Sequence, residues 1–141
     1  MSTFNRSINI SASPERVWQV LADIERWNEW TASVSRVERV TSGELGIGSR
    51  VRIFQPKLQP VVWTITQWQP NHSFVWESVS PGFRAVAEHI ITPNQNGCTV
   101  TLTFEFSGLV GVLISALSGR MTRGYIEMEA NGLKTRSEKS V

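Results

Sequence analysis

The chain opens on the two-residue period of a half-buried strand: Phe4, Arg6, Ile8 and Ile10 alternate with Asn5, Ser7 and Asn9. The period then changes. Ser13-Pro14-Glu15 predicts a helix start, with Ser13 as the cap, Pro14 where its missing N–H is harmless, and Glu15 at the positive end of the dipole. Val17, Trp18 and Leu21 supply that helix with its buried stripe. A second short helix is predicted from Asp23 to Trp30, where Trp27 and Trp30 share one side and Glu25, Arg26 and Glu29 are left for solvent.

After Thr31 the pattern turns to short extended runs separated by Ser42-Gly43, Gly46-Ile47-Gly48, Pro56-Lys57, Pro70-Asn71, Pro81-Gly82 and Asn96-Gly97. Strands are predicted over Val34–Thr41, Ser49–Gln55, Val61–Gln69, Ser73–Ser80, Phe83–Thr92 and Cys98–Ser107, antiparallel to their neighbours because the connections are short. In the last of them Val100, Leu102, Phe104 and Phe106 alternate with Thr99, Thr101, Thr103 and Glu105, which fixes its inward face. A long helix follows from Leu109 to about Ser137, with Leu113, Leu117, Met121, Tyr125 and Met128 at three- and four-residue steps and a second row of Ile126, Ala130 and Leu133. Gly111, Gly119, Gly124 and Gly132 work against it, each costing roughly 1 kcal/mol relative to alanine in a helix interior. The polar end from Thr135 to Val141 is expected to fray.

The order is strand, two short helices, six strands, long helix. Consecutive strands exclude a doubly wound sheet and predict an α+β fold, a seven-stranded curved antiparallel sheet around the C-terminal helix. A sheet this wide must coil, and one helix covers only part of it. An apolar cavity is the expected remainder. At 141 residues, without repeat or linker, the chain is read as one domain over 1–141.

Composition narrows the function classes. Six Trp and six Phe in so small a protein, with 18% charged residues, supply large volume to fill or line a wide space. Net charge is +2 and the arginines are dispersed among acids, so no basic face predicts a nucleic-acid partner; Arg50 and Arg52 read as solvent-side. The lone Cys98 permits no internal disulfide. With a start at Met1-Ser2-Thr3-Phe4-Asn5-Arg6 unlike a secretory signal, cytoplasmic residence is expected. The longest apolar run, Leu109 to Leu117, is about half of the roughly 20 residues that span a bilayer, so stable membrane insertion is not expected.

Catalytic and metal motifs are missing. His72, His89 and Cys98 have no paired ligand spacing. Asp23 is the sole aspartate, and no serine sits in a nucleophile elbow. Gly43, Gly46 and Gly48 precede a strand, not a helix, which does not fit a dinucleotide site. No cofactor is implied.

Candidate ligand contacts come from the strand alternation and the helix stripe. Trp63 with Ile65, Phe74 with Trp76, and Phe104 with Phe106 fall on concave positions and form either an aromatic pocket wall or plain core. His89 shares a face with Phe83, Ala85, Ala87 and Ile91, where imidazole is able to meet a ligand oxygen. It is equally read as satisfied by a strand partner, or as outward in the register that turns Val86, Glu88 and Ile90 inward. Met121 and Tyr125 lie on the inward helix stripe. Trp27 and Trp30 either close the cavity mouth or anchor the short helices, and His72 reads as surface.

Several segments together resemble one family: Ile10-Ser11-Ala12-Ser13-Pro14-Glu15-Arg16-Val17-Trp18, Trp27-Asn28-Glu29-Trp30, Gly48 opening a strand, Pro70 with Phe74 and Trp76, Gly97-Cys98-Thr99-Val100-Thr101, and Leu133-Lys134 with Glu138. In this order the chain is similar to the START-related, Bet v 1-like helix-grip superfamily, in its bacterial polyketide cyclase/dehydrase and lipid-transport branch (SRPBCC). The resemblance spans nearly the whole chain and implies binding or carriage of a small hydrophobic molecule such as a lipid, a polyketide-like aromatic or an isoprenoid. As the alternative, it admits a cyclase/dehydrase or aromatase enzyme in which His89, Tyr125 or an inward Glu88 moves protons. A third reading has the cavity filled by Trp and Phe in a partner-binding module.

Overall fold

The computed structural model describes residues 2–139, with side chains for all of these except Ser2 and 111–118. Gly111 and the predicted stripe positions Leu113 and Leu117 therefore lie outside the described side chains, and Ser140 and Val141 lie outside the described residues. Strand β1 (Ser2–Ile10) leads into helix α1 (Pro14–Ala22) and a 3-10 helix (Ile24–Glu29). Six strands follow: β2 (Arg36–Arg39), β3 (Arg50–Phe54), β4 (Val61–Gln69), β5 (Ser73–Ser80), β6 (Phe83–Asn94) and β7 (Gly97–Ser107). Helix α2 (Leu109–Glu138) closes the chain. The fold is the expected α+β helix grip.

Ser13 caps α1 as its sequence predicts: it is extended at φ −67°, ψ 155°, and its Oγ accepts the Arg16 N–H at 3.1 Å. The second short helix is of the tighter 3-10 kind. Trp27 ties it to α1: its indole Nε1 donates to Leu21 O at 2.9 Å, satisfying a carbonyl left open in the last turn of α1, and the ring lies in the core at 3% exposure.

The seven strands run in the order β1-β7-β6-β5-β4-β3-β2, every neighbour antiparallel. β4 and β5 have the predicted bounds. β2 is shorter than expected, because Val34 folds back to donate to Thr31 O at 3.3 Å. β6 runs on to Asn94; past Ile90 its one registered neighbour is β7, which is where a proline, Pro93, is tolerated.

The core lies between the concave face of the sheet, α1, the 3-10 helix and the C-terminal half of α2. Val17, Leu21, Ile24, Val51, Phe74, Val100, Ala130 and Leu133 have no measurable exposure. The expected fraying after Thr135 does not occur over the described residues: α2 stays helical to Glu138 and Ser137 is buried. Arg16 donates to Arg136 O at 3.3 Å and Ser137 O at 3.4 Å, two of the carbonyls a helix end leaves open. Glu138 accepts from Lys134 Nζ at 2.6 Å and from Ser11 N–H at 2.7 Å. These bonds hold its carboxyl below the usual range, the lysine contributing most. Their stabilisation is present at neutral pH and is lost as pH falls through that lowered value.

The glycines of α2 differ in role. A β-carbon on Gly132 would stand 1.9 Å from Trp30 O, whereas one on Gly124 would meet nothing within 4 Å. Gly132 thus admits the 3-10 segment against the helix, and Gly124 carries the helix cost without that return. Gly132→Ala is expected to destabilise the fold by about 1–3 kcal/mol, and Gly124→Ala to stabilise it by about 0.5–1 kcal/mol. Denaturant midpoints of the two variants check both signs.

Candidate functional site

Antiparallel pairing brings the ends of β3, β5 and β7 together with the starts of β4 and β6, and between this end of the sheet and α2 lies a cavity of about 230 Å³. Each strand contributes by alternation: Val61 and Trp63 from β4, Phe83 and Ala85 from β6, Phe104 and Phe106 from β7. Met121, Thr122 and Tyr125 cover it from α2, and Gln55, Leu58 and Gln59 of the β3–β4 connection form the rim. The space exists because the inward positions of β6 next to the aromatic wall are small. Ala85 is paired with Phe106, and Ala87 with Phe104.

The wall is continuous. Phe83 tilts on Phe106 with centroids 5.6 Å apart, Phe106 meets Phe104 edge-on at 4.9 Å, and Phe104 meets Trp63 edge-on at 5.6 Å. Trp63 in turn stacks on Trp76 at 5.6 Å and 24°. Such rings present broad apolar faces to a guest. Polar groups are few, and the phenol of Tyr125 already donates to Pro56 O, fastening the β3–β4 connection to α2. Tyr125 is the one titratable side chain among the lining residues.

Phe74, Trp76 and His89 lie deeper in the trough and do not line this cavity. Here α1 and the 3-10 helix cover the sheet, and Trp27 fills the space between, 5.3 Å from Trp76, 5.6 Å from His89 and 6.1 Å from Phe74. Trp27 therefore anchors the short helices. His89 faces inward at 3% exposure, and Glu88 lies on the opposite face, against the register that would turn it inward. The imidazole stacks on Phe74 at 4.0 Å and 12°. Its Nδ1 is 3.3 Å from Phe74 O on the neighbouring strand. Nε2 stands 3.2 Å from Glu129 Oε1, an ion-pair distance whose alignment falls short of a hydrogen bond.

Glu129 is the polar group that sequence reasoning passed over. It lies four residues after Tyr125 and four before Leu133, so a carboxylate on the inward stripe was the available signal. Elsewhere in the interior, burial pushes the Cys98 thiol up, and the Glu15 charge adds to the effect. Among the described residues no three His, Cys, Asp or Glu side chains gather as metal ligands would. His72 is exposed in its turn.

A family model described as polyketide cyclase / dehydrase and lipid transport matches residues 1–138. No curated protein matches the chain at a significant level. Among solved structures, protein TTHA0849 of Thermus thermophilus is 22% identical with a TM-score of 0.77, covering 96% of this chain and 97% of that one. Protein jhp0584 of Helicobacter pylori is 11% identical with a TM-score of 0.83, over 96% and 88%. The Zhui aromatase/cyclase of Streptomyces sp. R1128 is 16% identical with a TM-score of 0.74, over 97% and 93%. At these identities the likeness is one of fold.

Because His89 is packed by rings on several sides, His89→Ala is expected to lower stability by about 2–4 kcal/mol through lost stacking and a new void. Denaturant unfolding followed by tryptophan fluorescence measures the loss.

Proposed function

This chain belongs to the polyketide cyclase / dehydrase and lipid transport family, and on that premise we propose that it binds and carries a small apolar molecule of one or two rings. The observation that carries this reading is the chemistry of the cavity wall: mostly aromatic and aliphatic carbon, with amides at the rim and the one titratable group among the lining residues, Tyr125, engaged by Pro56 O. At about 230 Å³ the space lies below the roughly 300–1,000 Å³ of sites for drug-sized ligands. That favours a compact guest over a long acyl or polyketide chain.

Burial is the driving term. A guest offering roughly 150–250 Å² of apolar surface, like one aromatic side chain, gains about 4–6 kcal/mol at ~25 cal/mol per Å². Before the cost of association, that corresponds to dissociation constants from about a millimolar down to tens of micromolar, suited to a carrier that must release its cargo.

Acid–base catalysis is the second reading, favoured by one observation, the buried His89 and the half-buried Glu129 at 3.2 Å. Neither residue lines the cavity, so proton transfer to a guest there needs a rearrangement that brings the pair within hydrogen-bond reach. Glu129→Gln separates the readings: a carrier keeps its guest affinity, and a proton-transfer enzyme loses turnover at unchanged binding.

Ala85 provides the direct test of the site. Ala85→Leu pushes a larger side chain into the cavity from its floor and is expected to weaken binding of a naphthalene-sized probe at least tenfold, on the order of 1.4 kcal/mol or more, while the protein stays folded. Quenching of tryptophan fluorescence on titration reads the affinity. Equal affinity in the variant and the parent would place the guest elsewhere.

A further inference from the structure

The cavity end of the sheet carries an exposed apolar rim that guest binding does not explain. Its parts come from two connections at this end of the sheet. Leu58, in the β3–β4 connection, is 43% exposed, and Leu109 and Val110, opening α2, are 90% and 44% exposed. The start of α2 is fixed to the β5–β6 turn, since Val110 N–H donates to Gly82 O at 2.9 Å. The next residue, Phe83, lines the cavity. Leaving a leucine this open forgoes stabilisation that burial would supply, and here several such residues stand around one opening.

Charge is distributed to match. From Phe106 to Gly119 the sequence has no charged residue, and Arg120 and Arg123 follow at once. Both are exposed, as is Lys57 beside Leu58; the Arg123 guanidinium lies over the Phe4 ring at 5.2 Å. The acids of these elements do not offset them at the rim. Glu77 is bound to Arg84 at 2.7 Å, and Glu105 alternates with Phe104 and Phe106, on the other face of β7.

We propose that this end of the molecule docks on an anionic lipid surface, with Leu58, Leu109 and Val110 entering the headgroup region and Lys57, Arg120 and Arg123 facing lipid phosphates. Apolar side chains bordered by basic ones are what interfacial attachment requires. No helix among the described residues is long and apolar enough to cross a membrane, so the contact is peripheral and reversible. An apolar guest then passes between bilayer and cavity without entering water; this last step rests on the carrier reading, and the docking itself does not.

Co-sedimentation of the full chain with vesicles of phosphatidylcholine and phosphatidylglycerol, two to one, tests it. Binding is expected to these vesicles, to fall sharply with pure phosphatidylcholine and with raised salt, and to weaken on the order of tenfold or more in Leu109→Glu/Val110→Glu and in Lys57→Gln/Arg120→Gln. Circular dichroism confirms that the variants fold, and all the changed side chains are exposed. No binding by the parent, or equal binding by the folded variants, overturns the proposal. So does a dimer in light scattering that Leu109→Glu/Val110→Glu abolishes while vesicles leave the parent in solution, which assigns the rim to a second copy. Probe binding in the cavity is read separately: vesicle binding without probe uptake removes the carrier reading and keeps the docking, and probe uptake without vesicle binding does the reverse.

Discussion

A helix is about 10–12 Å across with its side chains, and strands are spaced about 4.8 Å apart, so one helix cannot cover the concave face of seven strands. The rest of the structure follows from how the surplus is filled. At one end of the trough α1 and the 3-10 helix cover the sheet, and Trp27 occupies the space among Phe74, Trp76 and His89. At the other end no second helix arrives, α2 alone lies over the strands, and the small inward residue Ala85 leaves volume. Core and cavity are thus two outcomes of one geometric mismatch, divided at the Trp63–Trp76 stack.

This division explains what the sequence could and could not convey. Strand bounds at β4 and β5 were legible because alternation and the flanking Pro-containing turns agree locally. The inward face of β7 was equally plain from Val100, Leu102, Phe104 and Phe106. Alternation gives the face on which a side chain stands, but not its depth along the trough. Trp63 and Trp76 have the same local signature, and the packing of Trp27, far away in sequence, places Trp76 among core rings. The end of α2 misled for a related reason: Thr135 to Glu138 read as a polar tail, while its order comes from Arg16 and Ser11 on the far side of the chain. Glu129 escaped notice because a helix stripe is recognised by its apolar members, and His89, which gives the carboxylate its meaning, lies on a strand.

The two ends also differ in what holds them. Around the C-terminus of α2, charged and backbone hydrogen bonds converge: Lys134 to Asn9 O at 2.9 Å, Arg136 to Glu29 at 2.8 Å, and Glu138 to Ser11 N–H. Directional bonds of this kind fix one arrangement. The cavity end is held by ring contacts, which tolerate small displacements, and by hydrogen bonds that include Tyr125 to Pro56 O and Val110 N–H to Gly82 O. Resistance to local opening follows from such contrasts in buried contacts and hydrogen bonding.

The same asymmetry bears on the choice between carriage and catalysis. A proton-transfer site needs its acid and base held in place and within reach of the reacting atoms. His89 is held firmly, by stacking on Phe74 and by burial, but neither it nor the half-buried Glu129 lines the cavity. The accessible side has reach without a free acid or base. Placing rigidity and access at opposite ends suits binding that relies on non-directional burial, where a guest gains from area removed from water and needs no exact pose.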